Sequence, residues 1–127
     1  MKLWIDDVRP APEGYDWCKT VDDAKVTILK MEQQQAECLD MAHKWLNIHE
    51  IGNYYGCMRL ANRREIEIID IDHDAGDYAI FGGDYIRLLD WLEETGRNYP
   101  IRIHSMNPVG VANMRAIIER NGWKEIR

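Results

Sequence analysis

The strongest constraint on this chain lies at residues 65–71, Glu-Ile-Glu-Ile-Ile-Asp-Ile, which run directly into Asp72-His73-Asp74-Ala75-Gly76. A β-rich, nearly continuous apolar run suits a strand buried on both faces, the situation of a central strand in a parallel sheet covered by helices. Its abrupt end in three titratable residues and a glycine puts polar chemistry at the strand's carboxyl end.

The rest of the chain supplies elements that fit such a sheet. Residues 2–5, Lys-Leu-Trp-Ile, form a short apolar run that stops at Asp6-Asp7. Pro10, Pro12 and Gly14 then forbid regular structure, and residues 15–19 make a second, weaker strand. Thr20 with Asp23 three residues on reads as a capping box with Asp in place of Glu. Val21, Ala24, Ile28 and Met31 follow at helical spacing, and helical composition continues through Gln33-Gln34-Gln35 to Leu46, as one helix or two. Residues 47–64, with Gly52, Asn53, Gly56 and the Tyr54-Tyr55 pair, read as a loop or small hairpin.

Beyond the central strand, Gly82-Gly83-Asp84 opens a helix through Leu88, Leu89, Trp91 and Leu92 that stops at Gly96. Residues 101–103 form another strand, ending at His104-Ser105. Asn107-Pro108 is an N-cap and N1 pair for a last helix carrying Val111, Met114, Ile117 and Ile118. Gly122 stops it, and residues 123–126 can add an edge strand. Strands alternating with helices imply a parallel sheet with helices on both faces. The expected order is β-β-α-β-α-β-α-β, a mostly parallel five-stranded sheet in one domain over residues 1–127. Its first crossover helix is reduced to a proline-rich loop.

Composition narrows the function classes. With 127 residues there is room for one domain and its core. A formal net charge of −6 repels a polyanion at long range, which argues against broad nucleic-acid binding. Bound cations can still reverse that sign locally for a small phosphate ligand. Cys18, Cys38 and Cys57 offer no C-x-x-C pair, and neither a signal peptide nor an apolar run near 18 residues is present. Free thiols, a cytoplasmic location and no membrane association are expected. Five Trp is a high count for this length, and Trp4 and Trp91 fall inside apolar patterns, so core packing is their default role.

In an open parallel sheet, ligands bind beyond the carboxyl ends of the strands. Three strands here end in Asp6-Asp7, in Asp72-His73-Asp74 and in His104-Ser105. Any one of these has an ordinary reading: a turn for paired Asp, a satisfied structural histidine for His104, a cap for Ser105. Their joint placement at one edge points instead to a site. Carboxylates gathered there must share protons or a cation, and Mg²⁺ characteristically takes one or two carboxylates plus water and substrate phosphate. Free N–H groups at the start of the last helix, near Asn107, Val109 and Gly110, make a natural anion site.

Asp70-x-Asp72-x-Asp74 imitates a calcium loop, but its sixth position is Ala75 rather than Gly and its twelfth is Phe81 rather than Glu. Asp70 itself lies within the strand run, pointing opposite to Ile71. No Walker-type phosphate loop is present.

Three strings, Leu3-Trp4-Ile5-Asp6-Asp7-Val8-Arg9-Pro10, Asp72-His73-Asp74-x-Gly76 and Ile103-His104-Ser105-x-Asn107-Pro108-Val109-Gly110, make the sequence resemble the cyclic-phosphate processing receiver domain family. That family is a divergent branch of the two-component receiver fold. The resemblance covers most of the chain except residues 33–63, which look like a helical or loop insertion. It implies a receiver-like (flavodoxin-like) three-layer α/β sandwich. By similarity with receivers, Asp6 and Asp7 would bind Mg²⁺, Asp72 would stand at the phosphoacceptor position, and Ser105 would make the hydroxyl contact. The receiver lysine has no counterpart: Lys124 begins the last strand and does not end it. His73 and His104 are additions. Both departures turn the resemblance away from phosphorelay and toward processing of a cyclic phosphate, with histidines as general acid and base.

The resulting expectation is a metal-dependent phosphoesterase-like enzyme acting on a small cyclic phosphate, nucleotide-derived ligands included. Asp6, Asp7, Asp72 and Asp74 are its candidate ligands for Mg²⁺ or Mn²⁺. His73 and His104 would shuttle protons, and Arg9, Ser105 and Asn107 would grip phosphate oxygens. Two alternatives stand beside it. One is a receiver-type module that is phosphorylated on Asp72 or binds a ligand without catalysis. The other is a metal-dependent nuclease, which the negative charge disfavours.

Overall fold

The computed structural model describes residues 1–46 and 65–127. The expectations for residues 47–64, Tyr54, Tyr55 and Cys57 among them, lie outside the described residues, as do the side chains of His43 and Trp45. Strand β1 (Lys2–Ile5) is followed by β2 (Tyr15–Cys18), helix α1 (Val21–Leu46), β3 (Ile68–Ile71), a 3-10 helix (Gly76–Ile80), α2 (Ile86–Glu94), β4 (Ile101–Ile103) and α3 (Pro108–Asn121). The strands form one parallel sheet in the order β2-β1-β3-β4.

Among the described residues four strands, not five, make this sheet. The terminal segment meets it only through one bridge between Ile101 and Glu125. The reason is local: β4 has only three residues, and the chain past Gly122 touches it at Ile101 alone. There Ile101 N–H donates to Lys124 and Ile126 N–H donates to Ile101. Where the expected helical or loop insertion at 33–63 is described, residues 33–46 continue α1, so the stretch to Leu46 is one helix rather than two.

Capping chemistry sets the helix starts. Thr20 Oγ1 accepts from Asp23 N–H at 2.9 Å, and Asp22 and Asp23 place negative charge on the first turn of α1. Asn107 accepts from Gly110 N–H at 3.0 Å ahead of Pro108, and Gly122 ends α3 in the left-handed region at φ 67°. A single core joins Leu3, Ile5, Ile69, Ile71 and Ile101 of the sheet to Ile28 of α1, Leu88, Leu89 and Leu92 of α2, and Met114 and Ile118 of α3. Each fully buried aliphatic side chain contributes roughly 1.5–3 kcal/mol.

The three described α-helices belong to one face. The crossovers β2 to β3, β3 to β4 and β4 to the terminal segment step in the same direction across the sheet, and right-handed connections then put their helices on the same side. Only β1 to β2 runs the other way, and its connection is the proline-rich loop. On that second face Trp17, Trp4, Asp70 and Arg102 lie side by side across the four strands. Among the described residues no helix covers it. Trp4 is half-buried there, part of neither helix interface.

Candidate functional site

Backbone hydrogen bonds carry the sheet's register past the strand ends and fix the site. Asp6 N–H donates to Cys18, Asp72 N–H to Ile5 at 2.9 Å and His104 N–H to Ile71 at 2.9 Å. The three polar strand ends are thus placed by the same ladder that builds the core.

Asp6, Asp7 and Asp72 converge, with one carboxylate oxygen from each lying within 4.8 Å of the others. Hard divalent cations use oxygen donors of this kind, so the chemistry of the donor set is one that Mg²⁺ or Mn²⁺ accepts. Asp7 carries the electrostatic signature of the crowding. Burial pushes its carboxyl above the ordinary range, and the charges of Asp6 and Asp72 add to the rise against the pull of its own backbone N–H. Gly76 makes room for it. At φ 56° a Cβ on that residue would lie 2.5 Å from Asp7 Oδ2.

Asp6 behaves oppositely although only 1 % exposed. Burial raises its pKa, but N–H donation from Arg9 at 3.0 Å and Val8 at 2.9 Å, together with His104, outweighs that and holds the carboxyl below its usual value. His104 Nε2 sits 2.9 Å from Asp6 Oδ2, while Nδ1 sits 2.5 Å from Asp70 Oδ1. A carboxylate only accepts, so both ring nitrogens carry protons in this arrangement. Burial lowers the imidazole pKa, yet the hydrogen bonds and charges of Asp70 and Asp6 raise it overall. Trp4 stacks on the ring at 3.9 Å between centroids and 6° between planes.

The other histidine forms a second group. His73 Nδ1 lies 2.7 Å from Asp74 Oδ1, and Asn107 Nδ2 reaches the same carboxylate at 3.4 Å. A Cβ at Gly110 would fall inside the imidazole, so the ring rests on the first turn of α3. Asp74 is exposed and stands apart from the three converging carboxylates. Arg9 Nη1 donates to the His104 carbonyl at 3.3 Å, and Ser105 Oγ accepts from Asn107 N–H at 3.2 Å. These residues therefore border the site while shaping its loops.

Sequence reasoning missed two members. Asp70 was set aside with the calcium-like pattern, and Trp4 was assigned to the core. A carboxylate inside a strand buried on both faces was the available signal for Asp70, because such a group requires a partner. No comparable signal marked Trp4.

An open parallel sheet with a three-carboxylate edge, served by loops after its first, third and fourth strands, defines a receiver-type α/β domain. The family model for the cyclic-phosphate processing receiver domain matches residues 40–120, well over half of the chain, and the chain belongs to that family. The matched span contains Asp70, Asp72, His73, Asp74, His104 and Asn107 and leaves Asp6 and Asp7 outside. It also includes residues 40–63, which the motif resemblance had set aside. No curated protein and no solved structure gives a significant match.

Proposed function

We propose that this domain is a metal-dependent phosphoesterase that opens a small cyclic phosphate, with Asp6, Asp7 and Asp72 holding Mg²⁺ or Mn²⁺. The observation that carries this reading is the convergence of those three carboxylates beyond the strand ends. Membership in a family named for cyclic-phosphate processing supports a cyclic phosphate as the substrate class. When bound, such an ion would neutralise phosphate charge and make a water more acidic.

His73 is the proton-transfer group in this proposal. With Nδ1–H donating to Asp74, its Nε2 carries the lone pair, and among the described residues nothing occupies that atom. It takes a proton from the attacking water as a new P–O bond forms. The ring ester bond breaks, and the departing oxygen gains the proton that His73 releases, passed through solvent, to leave an open phosphomonoester. Both nitrogens of His104 are held by carboxylates, so its part is to keep Asp6 in place. Arg9, Asn107 and the Val109 N–H in the first turn of α3, where Gly110 N–H is already taken by Asn107, receive phosphate oxygens. Val8, Met106 and Val109 stand exposed on the loops leaving these strand ends. Apolar side chains there favour a phosphate with an organic body, a nucleoside included, over the bare anion.

A panel of 2′,3′-cyclic nucleotides and other cyclic phosphates, incubated with Mg²⁺ or Mn²⁺, tests the proposal. Turnover that EDTA abolishes and that His73→Ala lowers by about 100-fold or more is expected. Absence of turnover across the panel, or full activity in His73→Ala, contradicts it.

A further inference from the structure

Asp70 sits in the middle of β3, 1 % exposed, on the face opposite Ile69 and Ile71. A buried carboxylate is a poor device for stability, since an apolar side chain of similar volume serves as well or better. Its surroundings nevertheless satisfy it fully. Oδ1 lies 2.5 Å from His104 Nδ1, and Arg102 Nη1 approaches Oδ2 at 3.7 Å. The imidazole it holds has a fixed plane, because Trp4 stacks on it, and a fixed backbone, because His104 N–H is tied to Ile71. One freedom remains to the ring in that slot, a 180° flip about the Cβ–Cγ bond, and the bond to Asp70 decides it. With Nδ1 on Asp70, Nε2 points at Asp6 Oδ2, 2.9 Å away.

We infer that Asp70 is a positioning residue that acts through His104 to hold the Asp6 carboxylate in the orientation its metal-binding role requires. The inference rests on the reading of Asp6 as a metal ligand and extends it to a residue outside the ligand set. Ligand-orienting partners of this kind change metal affinity by about 10–100-fold when removed.

The test compares Asp70→Ala, Asp70→Asn, His104→Ala, the Asp70→Ala/His104→Ala double variant and Asp72→Asn, using Mn²⁺ binding followed by electron paramagnetic resonance. Circular dichroism and thermal melts monitor the fold. Asp70→Ala should weaken Mn²⁺ binding by about 10–100-fold, and Asp70→Asn, which keeps an oxygen able to accept from Nδ1–H, much less. In the double variant the loss should be no greater than in His104→Ala alone, because the effect passes through the ring. Wild-type affinity in a folded Asp70→Ala overturns the inference, as does a fully additive double variant. Failure of Asp70→Asn itself to fold would make Asp70 a stability residue and overturn it too. If wild type and Asp72→Asn both fail to bind Mn²⁺, the metal reading falls instead. The positioning claim is then decided in metal-free protein by the His104 ring N–H resonance: loss of its exchange protection in Asp70→Ala supports the claim, and an unchanged signal overturns it.

Discussion

The indole of Trp4 lies flat on the imidazole of His104, 3.9 Å between ring centroids, and so joins the third strand position of β1 to the residue that follows β4. The pair forms on the sheet face that no described helix covers. Stacked aromatic pairs contribute about 0.5–1.5 kcal/mol beyond area burial. Trp4→Leu should therefore lower unfolding free energy by roughly 1–2 kcal/mol in urea melts. It should also weaken metal binding, because the ring that holds Asp6 loses its platform. Stability loss with unchanged Mn²⁺ affinity would make the stack purely structural.

The charge pattern of the site gives the metal-free protein a definite pH response. The His104 pKa is raised above 6.5 in the folded state, so its contribution is complete below that value and is lost as pH rises through the higher folded value. The Asp6 pKa is lowered below 3.8, so its contribution is present above that value and is lost as pH falls through the lower folded one. In EDTA, thermal stability should decline as pH rises beyond 6.5, and His104→Gln should flatten that decline. An identical slope in the variant would assign it to other groups.

Asp7 has the opposite sign, since burial and its carboxylate neighbours raise its pKa. Asp7→Asn should stabilise the metal-free protein by roughly 0.5 kcal/mol, a gain kept small by solvent screening, while abolishing tight Mn²⁺ binding. Paired denaturation and binding measurements check this. A variant that is both less stable and still binding would contradict the cluster's role.

Gly110 lies inside α3, where Ala ordinarily stabilises by about 1 kcal/mol over Gly. Here the added Cβ would enter the His73 ring. Gly110→Ala should therefore destabilise the fold and cut turnover while leaving Mn²⁺ affinity near that of wild type. A stabilised and fully active Gly110→Ala would remove His73 from the reaction.

Much of this architecture is written locally in the chain. Thr20, Asn107-Pro108, Gly96 and Gly122 mark helix ends through caps whose geometry depends on neighbouring residues alone. The polar endings of β1, β3 and β4 are likewise visible, because a strand's carboxyl end coincides with the end of its apolar run. Pairwise placement at longer range is less legible. Nothing near Trp4 in the sequence says that it meets His104, 100 residues away, and Asp74 gives no sign that it faces His73 and Asn107 rather than Asp72. The reduction of the fifth strand to one bridge is equally hard to read, because how far residues 123–126 pair with the short β4 is set by contacts between separate segments. The part played by Asp70 is masked in the sequence by the calcium-like spacing of Asp70-x-Asp72-x-Asp74, although a carboxylate inside a buried strand requires a partner that neutralises it.

The central claim is that Asp6, Asp7 and Asp72 form one divalent-cation site, and anomalous diffraction from crystals soaked in Mn²⁺ tests it most directly. The account predicts a single strong anomalous peak in contact with oxygens of all three carboxylates, absent in Asp72→Asn crystals. Ordered carboxylates with no peak between them, or a peak held by Asp74 and His73 instead, would contradict it.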